Sequence, residues 1–158
     1  MYQKIDPILL AEDDPNDVEL ILAAFEQAHI KNQVHVVSDG EQALDFLYQR
    51  GKFRDRTHGD PLVLLLDLKM PKIDGLGVVR ALRADERFRC LPVIMLTSSQ
   101  EEEDIVQSYR LGVNAYVTKP VSFQEFVETV KIMGLFWVLV NEVPHQHLTA
   151  DDEEPPHD

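Results

Sequence analysis

Asp13, Asp14, Asp67, Thr97 and Lys119 are the residues whose types and spacing point to chemistry. Each follows a short apolar run: the acidic pair after Ile8 to Ala11, Asp67 after Leu62 to Leu66, Thr97 after Pro92 to Leu96, and Lys119 after Ala115 to Val117. If these runs are strands of one parallel sheet, their carboxyl ends converge on one edge, where open α/β sheets hold ligands. Three carboxylates gathered there repel, and a hard divalent cation with oxygen ligands relieves the repulsion. Mg²⁺ suits that set, because no cysteine cluster or close histidine pair lies near these positions. A carboxylate beside Mg²⁺ can attack phosphorus and become an aspartyl phosphate, whose oxygens the Thr97 hydroxyl and Lys119 ammonium would bind. Each residue alone has a plainer reading. Asp14 before Pro15 is equally good helix-capping chemistry, Asp67 can simply end a strand, Thr97 can open a helical cap, and Lys119 can lie on the surface. Their coincidence at one sheet edge favours the shared site.

The elements that must position these residues are legible in the hydrophobic pattern. Five consecutive apolar residues, Leu62 to Leu66, read as a strand buried on both faces of a parallel sheet. Val18, Ile21, Leu22 and Phe25 give a helical face after Pro15, and Gln33 to Val37 reads as a strand. Ser38 and Glu41 have capping-box spacing before a helix with Ala43, Leu44 and Leu47 inward, as do Ser99 and Glu102 before Ile105, Val106 and Tyr109. Ser122 and Glu125 form a third such pair, with Val121 and Phe126 placed to staple it. Residues 51–60 read as an exposed loop, and Leu76, Val79 and Leu82 as the inner face of a helix after Gly75. Five strand–helix alternations predict an α/β fold, a doubly wound five-stranded parallel sheet with helices on both faces.

A chain of 158 residues supports one domain with a short appendage and leaves no room for a separate output domain. Its formal charge of -13 opposes binding to nucleic acid and anionic lipid. Cys90 is the only cysteine, so no intrachain disulfide is expected, and the first twenty residues lack a signal-peptide pattern. A cytoplasmic location is expected.

The combination of Asp13-Asp14, Asp67 in LLLDLKMP, Thr97 in IMLTSS, Tyr116 and Lys119-Pro120 resembles the receiver domain of two-component response regulators, a flavodoxin-like fold, over residues 5 to 132. The resemblance implies that Asp67 accepts a phosphoryl group from a partner histidine kinase and that Asp13, Asp14 and the Lys69 carbonyl help Asp67 bind Mg²⁺. It further implies a switch pair, Thr97 and Tyr116, and a cis Lys119–Pro120 bond. On this reading the chain is a phosphoacceptor signalling protein rather than an enzyme. The loop at 51–60 and the Phe136-Trp137 pair look like those of regulators partnered with bacterial phytochrome histidine kinases. Two rivals stand beside this reading. One is a receiver-like dimeric scaffold that is not phosphorylated. The other is a Mg²⁺-dependent aspartyl phosphatase, against which Lys69 stands where the haloacid dehalogenase family wants a second aspartate.

Beyond a receiver spanning 1–132, residues 133–148 continue an apolar extension and 149–158 form an acidic tail that reads as disordered. Ile132, Phe136 and Leu139 make a second helical stripe, offset from the one a sheet needs. A surplus apolar face marks an interaction surface, and a homodimer with Phe136 and Trp137 as anchors is expected. The run is too short for the roughly 20 apolar residues of a membrane span.

Overall fold

Successive residues of the central strands point into two separate cores. Leu9, Ala11, Leu64, Leu66, Val93 and Met95 face one, whereas Ile8, Leu10, Val63, Leu65, Ile94 and Leu96 face the other. This alternation is the pleat of strands buried on both faces, which accounts for their unbroken apolar sequences. The computed structural model describes residues 6–57, 59–119 and 122–135.

In chain order the elements are β1 (Ile8–Ala11), α1 (Pro15–Gln27), β2 (Val34–Val37), α2 (Gly40–Tyr48), a 3₁₀ turn (Gly51–Phe53), β3 (Val63–Leu66), α3 (Gly75–Arg83), β4 (Val93–Thr97), α4 (Glu102–Arg110), β5 (Ala115–Thr118) and α5 (Phe123–Leu135). All strand pairs are parallel, in the order β2-β1-β3-β4-β5. The chain leaves β1 toward one side of the sheet and returns to β3 on the other, so the crevice at the carboxyl ends of β1 and β3 is the topological switch point. Ile21, Ala24 and Phe25 of α1 join Phe126, Val127 and Val130 of α5 in one core. Ala43, Phe46 and Leu47 of α2 and Val78, Val79 and Leu82 of α3 fill the other.

Several local expectations are corrected. Asp39, not Ser38, caps α2 by accepting from the Gln42 N–H at 2.7 Å, while the Gln42 side chain accepts from the Ser38 N–H. The box is therefore shifted one residue along the chain. Ser99 does not cap α4, whose N-cap is Glu101 without a side-chain bond; the Ser99 hydroxyl instead donates to Asp104 Oδ2 at 2.6 Å. Ser122 Oγ does accept from the Glu125 N–H at 3.4 Å, and the proposed staple partner Val121 lies outside the described residues. Leu22, Val106 and Tyr109 are exposed rather than inward. Leu22 follows Ile21, and Val106 follows Ile105, so each is turned about a quarter-circle away from the sheet-facing line.

The loop after α2 is mostly exposed, yet Arg56 anchors it from a buried position. Its guanidinium donates to the Phe46 and Leu47 carbonyls near the end of α2 and to the Gly59 carbonyl, and pairs with Asp60 at 3.2 Å. Carbonyls in the last turn of a helix thus gain donors from a side chain about ten residues further along the chain. No helix among the described residues is long and apolar enough to cross a membrane.

Candidate phosphoacceptor and metal site

Glu12, Asp67 and Lys119 each stand one step past a strand end and are fixed by a backbone bond to a neighbouring strand. The Glu12 N–H donates to the Val37 carbonyl at 2.9 Å, the Asp67 N–H to the Ala11 carbonyl at 3.0 Å, and the Lys119 N–H to the Thr97 carbonyl at 2.8 Å. Because Ala11 pairs with Leu66, the next residues on the two strands, Glu12 and Asp67, come level at the sheet edge. Both are buried.

Oxygen atoms of Glu12, Asp13 and Asp67 lie within 4.8 Å of one another. Asp14 is not in this group. Its carboxylate instead accepts from the Asn16 N–H at 2.9 Å as the N-cap of α1, with Pro15 in the first turn. The structure thus brings together Asp13 and Asp67 from the sequence-derived set, leaves Asp14 as a cap, and adds Glu12. Asp13 is exposed, so the group opens to solvent on one side. Lys69 is exposed in the loop directly after Asp67. That loop is held against the helix that follows it: the Gly75 N–H donates to the Leu68 carbonyl at 2.8 Å, and Asp74 caps α3 through the Gly77 N–H.

Lys119 closes the group from β5. Its Nζ lies 2.6 Å from Glu12 Oε2, 2.9 Å from Asp17 Oδ2 and 3.3 Å from Asp67 Oδ2. Burial works against the ammonium, but hydrogen bonds to Asp17 and Glu12 and the charge of Asp67 outweigh it, so its pKa stands above the usual lysine value. Burial pushes the Glu12 carboxyl up to about 7, aided by the Asp67 charge and opposed by the hydrogen bonds from Lys119 and the Asp14 N–H. Net negative charge therefore collects where one ammonium serves three carboxylates.

Thr97 ends β4, the strand beside β3, and is buried; its Oγ1 accepts from the Ser99 N–H at 3.3 Å. Tyr116 in β5 packs its half-buried ring against the core and donates its hydroxyl to the Ser99 carbonyl at 2.9 Å. Ser99 is thus a common anchor of the two residues, a role that its sequence position did not signal. Pro120, and with it the isomer of the Lys119–Pro120 bond, lies outside the described residues, as do Phe136, Trp137 and Leu139. Ile132 is described and is 70% exposed.

The fold, the switch-point crevice and its carboxylate–lysine group define a receiver domain, and residues 8–131 match the response regulator receiver domain family, to which this chain belongs. Among solved structures it is similar to response regulator RPA3017 in red light signaling of R. palustris. The two are 39% identical with a TM-score of 0.84, covering 89% of this chain and 99% of that one. Bacteriophytochrome response regulator RtBRR is 54% identical with a TM-score of 0.74, covering 89% of this chain and 85% of that one. Response regulator Rcp1 of Synechocystis is 32% identical over 87% of this chain and 92% of its own length. The Mn²⁺-bound form of Rcp1 aligns with a TM-score of 0.80 at 31% identity, covering 89% of this chain and 99% of that one. The chain is accordingly a response regulator receiver of two-component signalling, similar to regulators named for bacteriophytochrome and red light signalling.

Proposed function

We propose that the chain accepts a phosphoryl group from a partner histidine kinase onto Asp67 and signals through protein–protein contacts. The observation that carries this is the single lysine ammonium held between Glu12 and Asp67 at the edge where the carboxylates converge. In the transfer an Asp67 carboxylate oxygen attacks phosphorus, the bond from phosphorus to the kinase's imidazole nitrogen breaks, and the departing ring keeps that electron pair. Hydrolysis later breaks the acyl phosphate, releases inorganic phosphate and restores the carboxylate.

The donor set fits a hard divalent cation: three carboxylates, two buried and one open to water, with no sulfur or imidazole among them. Asp13 and Asp67, with Glu12 beside them and the Lys69 carbonyl from the following loop, would hold Mg²⁺. When bound it would neutralise charge on the transferring phosphoryl oxygens. That the similar Rcp1 takes a Mn²⁺-bound form supports a divalent cation as the ligand. Lys119 orients one side of the acceptor, and Thr97, at the end of the neighbouring strand, would donate its hydroxyl to a phosphoryl oxygen. Tyr116, already packed inward on the Ser99 carbonyl, would hold the β4–α4 connection in the matching position.

The similarity to regulators named for bacteriophytochrome and red light signalling supports a phytochrome-type kinase as the partner. A homodimer through the end of α5, with Ile132, Phe136, Trp137 and Leu139 in the interface, would supply an output surface. The charge of -13 opposes nucleic acid as a direct ligand. The test is phosphotransfer from a ³²P-labelled phytochrome-type kinase in Mg²⁺. Wild-type protein should take up label and Asp67→Asn should not; equal uptake in that variant overturns the assignment, and no uptake by wild type favours a phosphate-independent scaffold.

A further inference from the structure

Asp17 belongs to no part of the site described so far except through Lys119. It stands in the first turn of α1, its side chain about one-third exposed, with Oδ2 at 2.9 Å from Lys119 Nζ. That distance is shorter than the 3.3 Å from the same nitrogen to Asp67. An ammonium has three donors, and here three carboxylates take them. Two of those carboxylates, on Glu12 and Asp67, are fixed at strand ends and buried, whereas the third comes from a helix at the rim.

We propose that Asp17 is a positioning residue that parks Lys119 on α1 and sets how much of its charge reaches a phosphoryl group on Asp67. The inference rests on the phosphoacceptor reading above. A phosphoryl group brings new anionic oxygens beside Lys119, and a donor must leave one of its anchors to meet them. Glu12 is the costly anchor to abandon, because a buried carboxylate would lose its cation. Asp17 is the cheap one, because water reaches its carboxylate and replaces the bond. The lysine therefore exchanges Asp17 for phosphoryl oxygen, and each phosphorylation event loosens a tie between β5 and α1. Without Asp17 the exchange has already happened. The ammonium is then shared by two carboxylates, and uptake of the anionic group becomes faster.

The test uses the full chain, Mg²⁺ and acetyl phosphate, whose O–P bond breaks to release acetate as the Asp67 O–P bond forms. Asp17→Asn should take up phosphoryl about threefold to tenfold faster than wild type. Glu19→Gln removes the same charge from an exposed position on the same helix and controls for general repulsion of the anionic donor. In a Lys119→Met background, Asp17→Asn should have no further effect. A rate for Asp17→Asn equal to that of Glu19→Gln overturns the proposal, as does an effect that persists without Lys119. Absence of uptake by wild type overturns instead the phosphoacceptor reading on which the proposal stands.

Discussion

The Lys119 ammonium lies 2.6 Å from the Glu12 carboxylate across 107 residues of sequence, tying the end of β5 to the end of β1 past the ends of β3 and β4. Glu12 also accepts the Asp14 N–H at 3.1 Å, so this one buried side chain links the acceptor edge to the start of α1. Its protonation state should consequently govern metal binding.

With its pKa raised from 4.5 to about 7, Glu12 holds a proton in the folded, metal-free protein over a range where the unfolded chain has lost it. Folding stability of the metal-free protein should therefore fall as pH rises from about 4.5 to about 7 and level off above that. A divalent cation competes with that proton, so Mg²⁺ affinity should rise across the same interval. Titrations followed calorimetrically at several pH values between 5 and 8 (roughly one side to the other of the carboxyl's midpoint) check this. Glu12→Gln should flatten the pH dependence of both quantities, and an unchanged slope in that variant would refute the role of Glu12.

Gly75 sets the depth at which α3 meets the acceptor loop. A Cβ at this position would lie 2.5 Å from the Asp67 carbonyl oxygen and 2.9 Å from Leu68 Cα, both backbone atoms that cannot swing aside. Gly75→Ala should therefore push the Asp67–Leu68 backbone and cost about 1–3 kcal/mol of stability. Phosphoryl uptake should fall with it even at temperatures where the variant is folded. Chemical denaturation together with labelling kinetics reads both effects; a variant as stable and as reactive as wild type would show that the loop has slack.

Arg56 tests whether the loop after α2 is structural. Its side chain is 3% exposed, stacks its guanidinium 4.6 Å from the Phe46 ring centroid and satisfies carbonyls at the end of α2. Arg56→Ala should cost about 2–4 kcal/mol, because buried acceptors lose their donors and Asp60 keeps only Arg87. Acceptance of phosphate at a permissive temperature should be unaffected, since none of these contacts reaches the carboxylate group. A stability change within error of zero would make the loop a mere spacer.

The fold was legible because its strands are nearly pure apolar runs and its helices carry their spacing openly. Asp67 was legible for the same reason, ending the run Leu62 to Leu66. Glu12 was missed because three acids in a row, Glu12-Asp13-Asp14, offer two adjacent pairs, and only the register of β1 with β3 decides between them. The acid directly after the last apolar residue of β1 is level with Asp67; the third acid has already turned into the cap of α1. Counting one residue past the strand end would have found it. Asp17 gave no such signal, since its partner is 102 residues away and only folding brings them together. Leu22, Val106 and Tyr109 were placed inward because apolar spacing does not say which side of a helix a thin sheet edge covers.

The end of α5 carries the last prediction. Phe126, Val127 and Val130 point into the core, whereas Ile132 lies about 200° around the helix from Val130 and is 70% exposed. A large apolar residue on the outer side of a helix, followed in sequence by Phe136-Trp137-Val138-Leu139-Val140, is poorly matched to a monomer surface. If this face joins two copies, its burial contributes to association, and a buried carboxylate there is strongly unfavourable. Ile132→Asp should weaken dimerisation by at least about tenfold, or about 1.4 kcal/mol, without altering the monomer's stability. Sedimentation velocity over a range of concentrations measures the first quantity and chemical denaturation of the monomer the second. Wild-type protein that remains monomeric throughout that range would exclude the α5 interface, and a dimer indifferent to Ile132→Asp would move it elsewhere on the molecule.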